Sequence, residues 1–382
     1  MNFWKFYLLV YTILAFGYLW YRYIFLVSYN EKSNYGDYKR EVSIIIPFYN
    51  EKPDLLVSTV LKASECSGQK EIIVIDDGSK LRDGYNALKE LQKSIRFKLI
   101  RYDENKGKRH AQIIGFNEAK GEIIMTLDSD TILDKMAIVN LIQPFSNKEV
   151  GATTGQLEIL NSKQNFLTRL ISARYLNAFN FERKSQSVLG AIVCCTGPIS
   201  AYRTSLIKSI MKDYDSQTFM GNKCTYGDDR HLTTLTIYKK NRVVYVKNAI
   251  GYTMAMSNLK SFLKQQIRWK KSWLRETYLL SKFMFKNSRT ISFEVIFTTL
   301  ITFFSIFARI GLMITLIFNP PYLIFALLLL TLMGILHSLY ILFNKPEYFI
   351  YSIIYGFFHA FIVYWTLIFA IITFRDVKWG TR

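Results

Sequence analysis

The stretch Ile123-Ile124-Met125-Thr126-Leu127-Asp128-Ser129-Asp130 joins a run of mainly aliphatic residues to two acids that are separated by one residue. The apolar run predicts a buried β-strand. In α/β proteins ligands bind beyond the carboxyl ends of the strands, which is where Asp128 and Asp130 fall. Carboxylate oxygens in that place can hold Mg²⁺ or Mn²⁺ together with substrate phosphates. A solvated turn after a strand explains the same residues, so other parts of the chain must distinguish the two.

The chain of 382 residues is 50% hydrophobic and 16% aromatic, and its apolar residues are concentrated in four long segments. The first, Trp4 to Val27, predicts a retained membrane anchor, because it is too long for the apolar part of a signal peptide and no cleavage site follows. The other three are Ile291 to Phe318, Tyr322 to Phe343 and Tyr348 to Phe374. Each reaches the roughly 20 residues that cross a bilayer. The sequence therefore predicts a multi-pass membrane protein.

Basic residues predict the orientation of the chain. Only Lys5 precedes the core of the first segment, whereas four basic residues crowd its end: Arg22, Lys32, Lys39 and Arg40. By the positive-inside rule the N-terminus lies outside and the body of the chain is cytoplasmic, in the cell membrane. The net charge of +20 is concentrated beside the apolar segments, notably between Lys260 and Arg289. Membrane lipids, rather than nucleic acid, are the expected partner.

The number of C-terminal membrane segments conflicts with the position of the basic residues at the end of the chain. Three full crossings after a cytoplasmic domain would place Arg375, Lys378 and Arg382 outside, against the same rule. We therefore expect a cytoplasmic C-terminus. Either one segment is re-entrant or interfacial, with Tyr348 to Phe374 and a bend at Gly356 as the candidate, or the longest segment is split near Arg309.

Residues 41–257 have the length and pattern of one α/β domain. A strand begins at Val42, a helix follows from Asp54 to Lys62, and a second strand runs from Glu71 to Asp77. This order predicts a βαβ unit and a parallel sheet. The glycine patterns of Rossmann and P-loop sites are missing. The four cysteines lack metal-ligand spacing and fit a reduced cytosolic domain: Cys66, Cys194, Cys195 and Cys224.

Three further motifs carry candidate functional residues. Asp76 and Asp77 precede a sharp turn at Gly78, and the basic loop from Asn105 to Ala111 opens a helix, which suits a phosphate. Asp228 and Asp229 are candidates for a general base, since an alcohol that attacks an activated sugar must lose its proton. Each motif also has a plain structural explanation as a turn, a solvated loop or a helix cap.

Two helices are predicted at the membrane surface. Asn165 to Gln186 has helical content with an imperfect apolar face, and Asn258 to Phe285 has apolar and basic residues on opposite faces. The second helix contains Gln265, Arg268 and Trp269. Between the two helices, residues 193–198 predict a strand or turn of small residues that a sugar ring could approach.

Four motifs in order, followed by a C-terminal membrane bundle, resemble the processive family 2 glycosyltransferases, which include cellulose, chitin and hyaluronan synthases. They are Asp76-Asp77-Gly78, Asp128-Ser129-Asp130, Gly227-Asp228-Asp229 and Gln265-x-x-Arg268-Trp269. The similarity is closest to hyaluronan synthases of the streptococcal type, in six segments: Asn105–Gln112, Leu167–Leu170, Asn177–Phe179, Cys195–Pro198, Leu263–Gln266 and Trp379–Arg382. Those synthases typically have two N-terminal membrane segments where this chain has one, and this chain ends at Trp379–Arg382.

The resemblance implies an α/β GT-A-like domain with a mostly parallel sheet, joined to an α-helical transmembrane bundle with interfacial helices. The expected boundaries are an anchor over 1–30, a cytoplasmic GT-A domain over 41–257, an interfacial region over 258–289, transmembrane segments over 290–375 and a tail over 376–382. It implies an inverting, processive enzyme that polymerises UDP-GlcNAc and UDP-GlcA and passes the growing polysaccharide across the membrane. Oligomeric state is not predicted.

The resemblance also assigns roles to residues. The UDP-sugar would contact eight of them: Asp76, Asp77, Lys106, Lys108, Asp128, Gln265, Arg268 and Trp269. The acceptor would contact four: Cys195, Gly197, Pro198 and Trp269. Asp128 and Asp130 would hold the Mg²⁺ or Mn²⁺ ion, and Asp229, with Asp228 beside it, would be the base.

Polar residues inside membrane segments are costly, so Arg309, His337 and His359 are candidates to line a path for the polymer. Snorkelling or helix packing explains Arg309 equally well. Three alternatives stay open: a chitin-like or glucose and glucuronate polymerase, a non-processive transferase that acts on a lipid phosphate, and a transporter with a nucleotide-sensing domain. The lipid-phosphate enzymes generally lack the Gln-x-x-Arg-Trp motif.

Overall fold

The computed structural model describes residues 3–29 and 38–376, and its centre is an eight-stranded sheet. The strands of the α/β domain are β1 Val42–Phe48, β2 Lys70–Asp77, β3 Lys98–Tyr102, β4 Ile123–Leu127, β5 Ile132–Leu133, β6 Val150–Ile159, β7 Ile199–Arg203, β8 Thr218–Phe219, β9 Asn222–Lys223 and β10 Arg242–Thr253. The sheet order is β3-β2-β1-β4-β7-β6-β10-β5. Parallel pairing joins β1 to β2 and β4, β2 to β3, and β6 to β10. The predicted, mostly parallel α/β domain is confirmed.

Helices cover both faces of this sheet, which explains why its central strands are continuously apolar rather than alternating. All seven residues of β1 and all five of β4 are buried. The helices of the domain are α2 Pro53–Glu65, α3 Asp83–Leu91, α4 Lys108–Glu118, α5 Ala137–Ile142, α6 Phe166–Asn177, α7 Lys184–Val188, α8 Thr204–Asp215 and α9 Asp228–Tyr238. A π-helix, Ala178–Arg183, joins α6 to α7.

The predicted helix from Asn165 to Gln186 does form, but its apolar face is not left free. The Asn165 side chain caps α6 by accepting a hydrogen bond from the Thr168 amide at 2.9 Å. Leu170, Ile171 and Phe179 are buried. Helix α6 packs against strand β6 on one side and against the C-terminal helices α13 and α14 on the other, so it connects the sheet to those helices.

The remaining helices follow the α/β domain, apart from α1 Phe3–Val27 at the N-terminal end. They are α10 Leu259–Ser281, α11 Met284–Asn287, α12 Arg289–Phe318, α13 Tyr322–Asn344, α14 Phe349–Phe358 and α15 Thr366–Ile372, with a π-helix at His359–Val363. Among the described residues, four helical segments are long and apolar enough to cross a membrane: Phe3–Val27, Arg289–Phe318, Tyr322–Asn344 and Pro346–Ile372. The expected membrane protein is thus supported.

The first two of these segments run antiparallel. Trp4 packs against Gly311 of α12, and Arg22 at the other end of α1 forms an ion pair with Glu294. The Phe3 end of α1 therefore lies beside the end of α12 that is remote from the α/β domain. Helix α12 continues unbroken through Arg309, so the predicted split at that residue is not seen.

The last segment begins and ends against the α/β domain. At its start Lys345 forms an ion pair with Glu158 of β6 at 2.8 Å, and beyond its end the Asp376 carbonyl accepts a hydrogen bond at 2.9 Å from the hydroxyl of Tyr226, which lies in the α/β domain just before α9. This geometry favours the re-entrant alternative. The irregular part of the segment is the π-helix His359–Val363, not Gly356. Lys32 and residues 377–382 of the predicted tail, including Trp379–Arg382, lie outside the described residues.

Candidate active site

A cleft of about 780 Å³ opens at the carboxyl ends of β1, β2 and β4, and α10 forms its opposite wall. Twelve of the fourteen predicted site residues line it: Asp77, Lys106, Lys108, Asp128, Asp130, Gly197, Pro198, Asp228, Asp229, Gln265, Arg268 and Trp269. Asp76 and Cys195 do not line it. Motifs that are up to about 190 residues apart in sequence therefore meet in one place.

The Asp77 carboxylate organises the loop that follows β3. It accepts hydrogen bonds from the Tyr102 hydroxyl at 2.5 Å, the Asn105 side-chain amide at 2.9 Å and the backbone amides of Lys106 at 2.9 Å and Gly107 at 3.1 Å. Burial raises the pKa of Asp77, although these hydrogen bonds oppose the increase. The loop is therefore held over the cleft, where Lys106 is exposed.

Gly78 allows this close approach of the loop. Its φ of +65° lies in the left-handed region, and a Cβ atom at this position would clash with the backbone of Glu104 and Asn105. Only glycine meets both demands without strain. The turn that the sequence predicts after Asp77 is therefore a requirement of the site.

Asp76 does not line the cleft, and its predicted contact with the nucleotide stays a prediction. Its carboxylate is fully buried, accepts a hydrogen bond from the Ser79 amide at 2.9 Å and forms an ion pair with Arg101. Successive side chains of a strand point to opposite faces, and here only Asp77 lines the cleft. Through its hydrogen bond with the Ser79 amide, Asp76 stabilises the turn that follows β2.

Lys108 and Asp128 form the centre of the cleft. Lys108 is the first residue of α4, and its Nζ contacts Oδ1 of Asp128 in an ion pair. Burial would lower the pKa of Lys108, but the carboxylates of Asp128, Asp228 and Asp229 outweigh it and the pKa rises. Between the two acids after β4, the Ser129 hydroxyl donates to Glu51 at 2.9 Å, so Asp128 and Asp130 can both face the cleft.

Gly197 is the residue of the 193–198 segment that lies next to Lys108 and Asp128. A Cβ atom on Gly197 would lie 3.6 Å from Asp128 Oδ2 and 3.7 Å from Lys108 Nζ, so this residue borders the Lys108–Asp128 pair directly. Cys195 is fully buried and does not line the cleft. Its backbone amide donates a hydrogen bond to the Thr233 hydroxyl at 2.8 Å. The neighbours Cys194 and Thr196 line the cleft in its place.

The two acids at the start of α9 differ in environment. Asp228 is 5% exposed and accepts a hydrogen bond from Arg109 Nε at 3.0 Å. Asp229 lines the cleft, and burial raises the pKa of its carboxyl, although the Arg230 amide and Lys108 oppose the increase. A carboxylate with a raised pKa is a better proton acceptor near neutral pH. Asp229 is therefore the acid suited to act as a base.

Helix α10 presents Gln265, Arg268 and Trp269 to the cleft. The Asn258 side chain caps the helix by accepting from the Ser261 amide at 2.9 Å. Trp269 is 42% exposed, so its indole face is available to a ligand.

A buried polar network fixes α10 to the elements that carry the acids. Glu276 of α10 accepts from Gln217 at 2.5 Å and lies 3.0 Å from Nδ1 of His231. Burial would raise the pKa of Glu276, but His231, Arg275 and Gln217 lower it to about 2. Gln217 also accepts from Arg109 at 2.8 Å, so the network reaches the Arg109–Asp228 pair. Sequence reasoning missed Gln217, His231 and Glu276 because each lies outside the recognisable motifs.

The three polar residues proposed for a polymer path do not line the cleft. Arg309 stacks on Tyr364, with 3.6 Å between the guanidinium carbon and the ring centroid, and Nε2 of His337 lies 3.9 Å from Glu182. The rings of His359 and Tyr355 are 6.1 Å apart, and Tyr355 does line the cleft. The path remains a prediction.

Known proteins resemble this chain over most of its length. Residues 43–211 match the family described as Glycosyl transferase family 2. An N-acetylglucosaminyltransferase of Azorhizobium caulinodans is 33% identical over 89% of this chain and 87% of that protein. A hyaluronan synthase of Streptococcus pyogenes is 34% identical over 92% of this chain and 85% of that protein. The chain belongs to glycosyl transferase family 2.

The fold of this family 2 glycosyltransferase is also found among solved structures. A mannosyltransferase from Pyrobaculum calidifontis, in complex with GDP-Man and Mn²⁺, superposes with a TM-score of 0.65 at 16% identity, and the alignment covers 99% of this chain and 100% of that one. The expected GT-A-like fold is confirmed. The expected class of enzyme, a hyaluronan synthase-like glycosyltransferase that uses a nucleotide-activated sugar, is confirmed as well.

Proposed function

We propose that this family 2 glycosyltransferase is a processive, inverting synthase that polymerises UDP-GlcNAc and UDP-GlcA into a hyaluronan-type polysaccharide and passes it across the membrane. One observation carries the proposal. Asp128, Asp229 and Trp269 open into a single cleft that extends to Tyr355 of α14, within one of the apolar segments. In this proposal the donor site, the base and the acceptor platform would lie beside a route towards the bilayer.

The chemistry follows from the groups in the cleft. The Asp229 carboxylate would take the proton from the acceptor hydroxyl as its oxygen attacks the anomeric carbon of the donor sugar. The bond from that carbon to the diphosphate breaks, and UDP leaves with the bonding electron pair. Lys108 and Arg268 would stabilise the negative charge of the departing diphosphate. Trp269 would stack on the acceptor sugar and fix its orientation.

A divalent cation would be held by Asp128 and Asp130. Two carboxylates on one short loop, with diphosphate oxygens and water completing the shell, match the oxygen coordination that Mg²⁺ prefers. In this structure Asp128 is paired with Lys108, so the metal would replace the Lys108 ammonium group at that carboxylate and leave Lys108 to contact the diphosphate. The described residues contain no group of three or more metal-ligating side chains, so the nucleotide would supply much of the shell. When bound, the metal adds positive charge at the leaving group.

A homopolymer of GlcNAc is the second candidate product. The similarity to an N-acetylglucosaminyltransferase is as high as the similarity to a hyaluronan synthase, 33% against 34% identity. A single sugar added to a lipid phosphate would instead give no polymer.

A product assay separates these candidates. The purified protein would be incubated in lipid vesicles of mixed anionic and zwitterionic composition with UDP-GlcNAc, UDP-GlcA or both, and the product digested with hyaluronidase. Polymer that needs both donors and is degraded by hyaluronidase supports the proposal. Polymer from UDP-GlcNAc alone supports the homopolymer, and the absence of polymer from all three mixtures contradicts both.

A further inference from the structure

Ser272 is a polar residue of the cleft that no predicted motif contains. It lies on α10 one turn beyond Arg268, and it lines the cleft together with Gln265, Arg268 and Trp269. The spacing of these four residues places them on one face of the helix. Ser272 is 4% exposed.

The hydroxyl of Ser272 makes no hydrogen bond to any residue that the structure describes. Serines inside helices commonly donate to the carbonyl four residues earlier. Ser292 and Ser338 of this chain do so, at 2.7 Å and 2.6 Å. A buried hydroxyl without a partner is destabilising, so its retention in a cleft indicates that it serves a ligand.

The surroundings of Ser272 favour an anionic ligand. A Cβ atom on Gly227 would contact both the Ser272 hydroxyl and, at 2.7 Å, Nη2 of Arg275, so this guanidinium lies close to the hydroxyl. Arg268 lies one turn earlier on the same face of α10 and also lines the cleft. A hydroxyl beside a guanidinium group can donate a hydrogen bond to a phosphate oxygen.

We propose that Ser272 donates a hydrogen bond to the diphosphate of the bound nucleotide and so extends the donor site beyond the Gln-x-x-Arg-Trp motif. This inference rests on the proposed function, because it assumes a nucleoside diphosphate in the cleft. Gly227 has a φ of +81° and packs directly on Ser272, which ties this contact to the position of the acids at the start of α9.

The test compares Ser272→Ala with Ser281→Ala. Ser281 lies on the same helix but is exposed, and its hydroxyl donates to the Tyr278 carbonyl at 2.8 Å. For each protein, the affinities for UDP and for uridine are measured by calorimetry, and the thermal midpoint is measured without nucleotide. Ser272→Cys, which keeps the size and donates more weakly, is included as an intermediate variant.

We expect Ser272→Ala to bind UDP about tenfold more weakly, the loss of one hydrogen bond to a charged group, and to bind uridine within about twofold of the unmodified protein. Its midpoint without nucleotide is expected to be unchanged or higher, since an unpartnered hydroxyl is removed. Ser281→Ala is expected to match the unmodified protein throughout.

Two results would overturn the role of Ser272. One is an unchanged UDP affinity in Ser272→Ala, and the other is an equal loss for uridine and UDP together with a lower midpoint, which would indicate a purely structural residue. Failure of the unmodified protein to bind UDP at all would instead overturn the proposed function. The two failures are therefore distinguishable.

Discussion

Arg109 and Asp228 form a buried ion pair, with Nε and Oδ1 3.0 Å apart, and this pair separates the roles of two adjacent acids. The Asp228 carboxylate is paired with Arg109. Arg109 also donates a hydrogen bond to Gln217, and Gln217 donates one to Glu276. Asp229, one residue later, lines the cleft with a raised pKa. Because α9 begins at these two residues, the ion pair fixes the start of the helix and thereby the position of Asp229, the proposed base.

Asp229→Asn is expected to abolish polymer formation while UDP affinity is retained. The amide keeps the size of the side chain but cannot accept the proton of the acceptor hydroxyl, and we expect a loss of at least about 100-fold in turnover. Incorporation of labelled sugar and calorimetric UDP binding are measured on the same preparation. Normal polymer formation in this variant would exclude Asp229 as the base.

The pH dependence of turnover follows from the same residue. Burial raises the pKa of Asp229, and a base must be deprotonated to act, so turnover is expected to fall as the pH falls through this raised pKa. The acidic limb should therefore lie above the usual range for aspartate, which is about 4. Turnover at saturating donor is measured as a function of pH, with UDP affinity at each pH as the control. A rate that stays constant or rises as the pH falls would contradict the assignment.

Arg109→Met is expected to lower the stability of the protein, because it leaves the Asp228 carboxylate buried without its charged partner. Breaking one side of a buried ion pair costs about 3–5 kcal/mol. The thermal midpoint is measured with Lys106→Ala as the control, since Lys106 is exposed at the same loop. The double variant Arg109→Met, Asp228→Leu should recover part of the loss. Equal midpoints for Arg109→Met and the control would show that the pair does not stabilise the fold.

The sequence alone predicted the parts of the site that depend on local pattern. The apolar run before Asp128 and the strand before Asp77 were recognisable because parallel strands buried on both faces are continuously apolar. Their acids then had to meet at one edge of the sheet. The position of Trp269 depended on the resemblance, since helical periodicity alone does not show which protein surface a helix faces.

Other parts of the site depend on strand register and on packing, which no local pattern encodes. Asp76 pairs in register with Arg101 of β3, and this alignment turns it away from the cleft. Cys195 and Cys194 are adjacent, and the side chain that faces the cleft is set by contacts from α9, such as that with Thr233. The His231–Glu276 contact joins residues 45 positions apart. Such contacts become visible only when the helices are assembled.

Gly78→Ala is expected to weaken donor binding more than it reduces turnover at saturation. The added methyl group would clash with the backbone of Glu104 and Asn105, and φ at this position is +65°, so the loop that carries Lys106 must shift. A higher KM for both UDP-sugars with a smaller change in kcat is the expected result. Gly190→Ala serves as the control, because its φ is also positive, +61°, but nothing lies within 4 Å of a Cβ atom there. Equal KM values in the two variants would show that strain at Gly78 does not reach the donor site.

The last apolar segment is expected to return to the side of the membrane from which it starts. Lys345 contacts Glu158 before the segment and the Tyr226 hydroxyl donates to the Asp376 carbonyl after it, so both ends lie against the α/β domain. Single cysteines at Lys89, Arg375 and Asn319 test this, because all three positions are exposed and the four native cysteines are buried.

A membrane-impermeant maleimide is applied to right-side-out and inside-out vesicles in turn. Lys89→Cys reports the side of the α/β domain, and Asn319→Cys reports the loop between α12 and α13. Arg375→Cys is expected to react in the same vesicles as Lys89→Cys, and Asn319→Cys in the opposite ones. Since Asp128 and Asp229 lie in or beside elements of the α/β domain, this result would place Arg375 on the same side of the membrane as these two acids. Labelling of Arg375→Cys together with Asn319→Cys would mean that the last segment crosses the membrane completely, and the re-entrant arrangement would then be wrong.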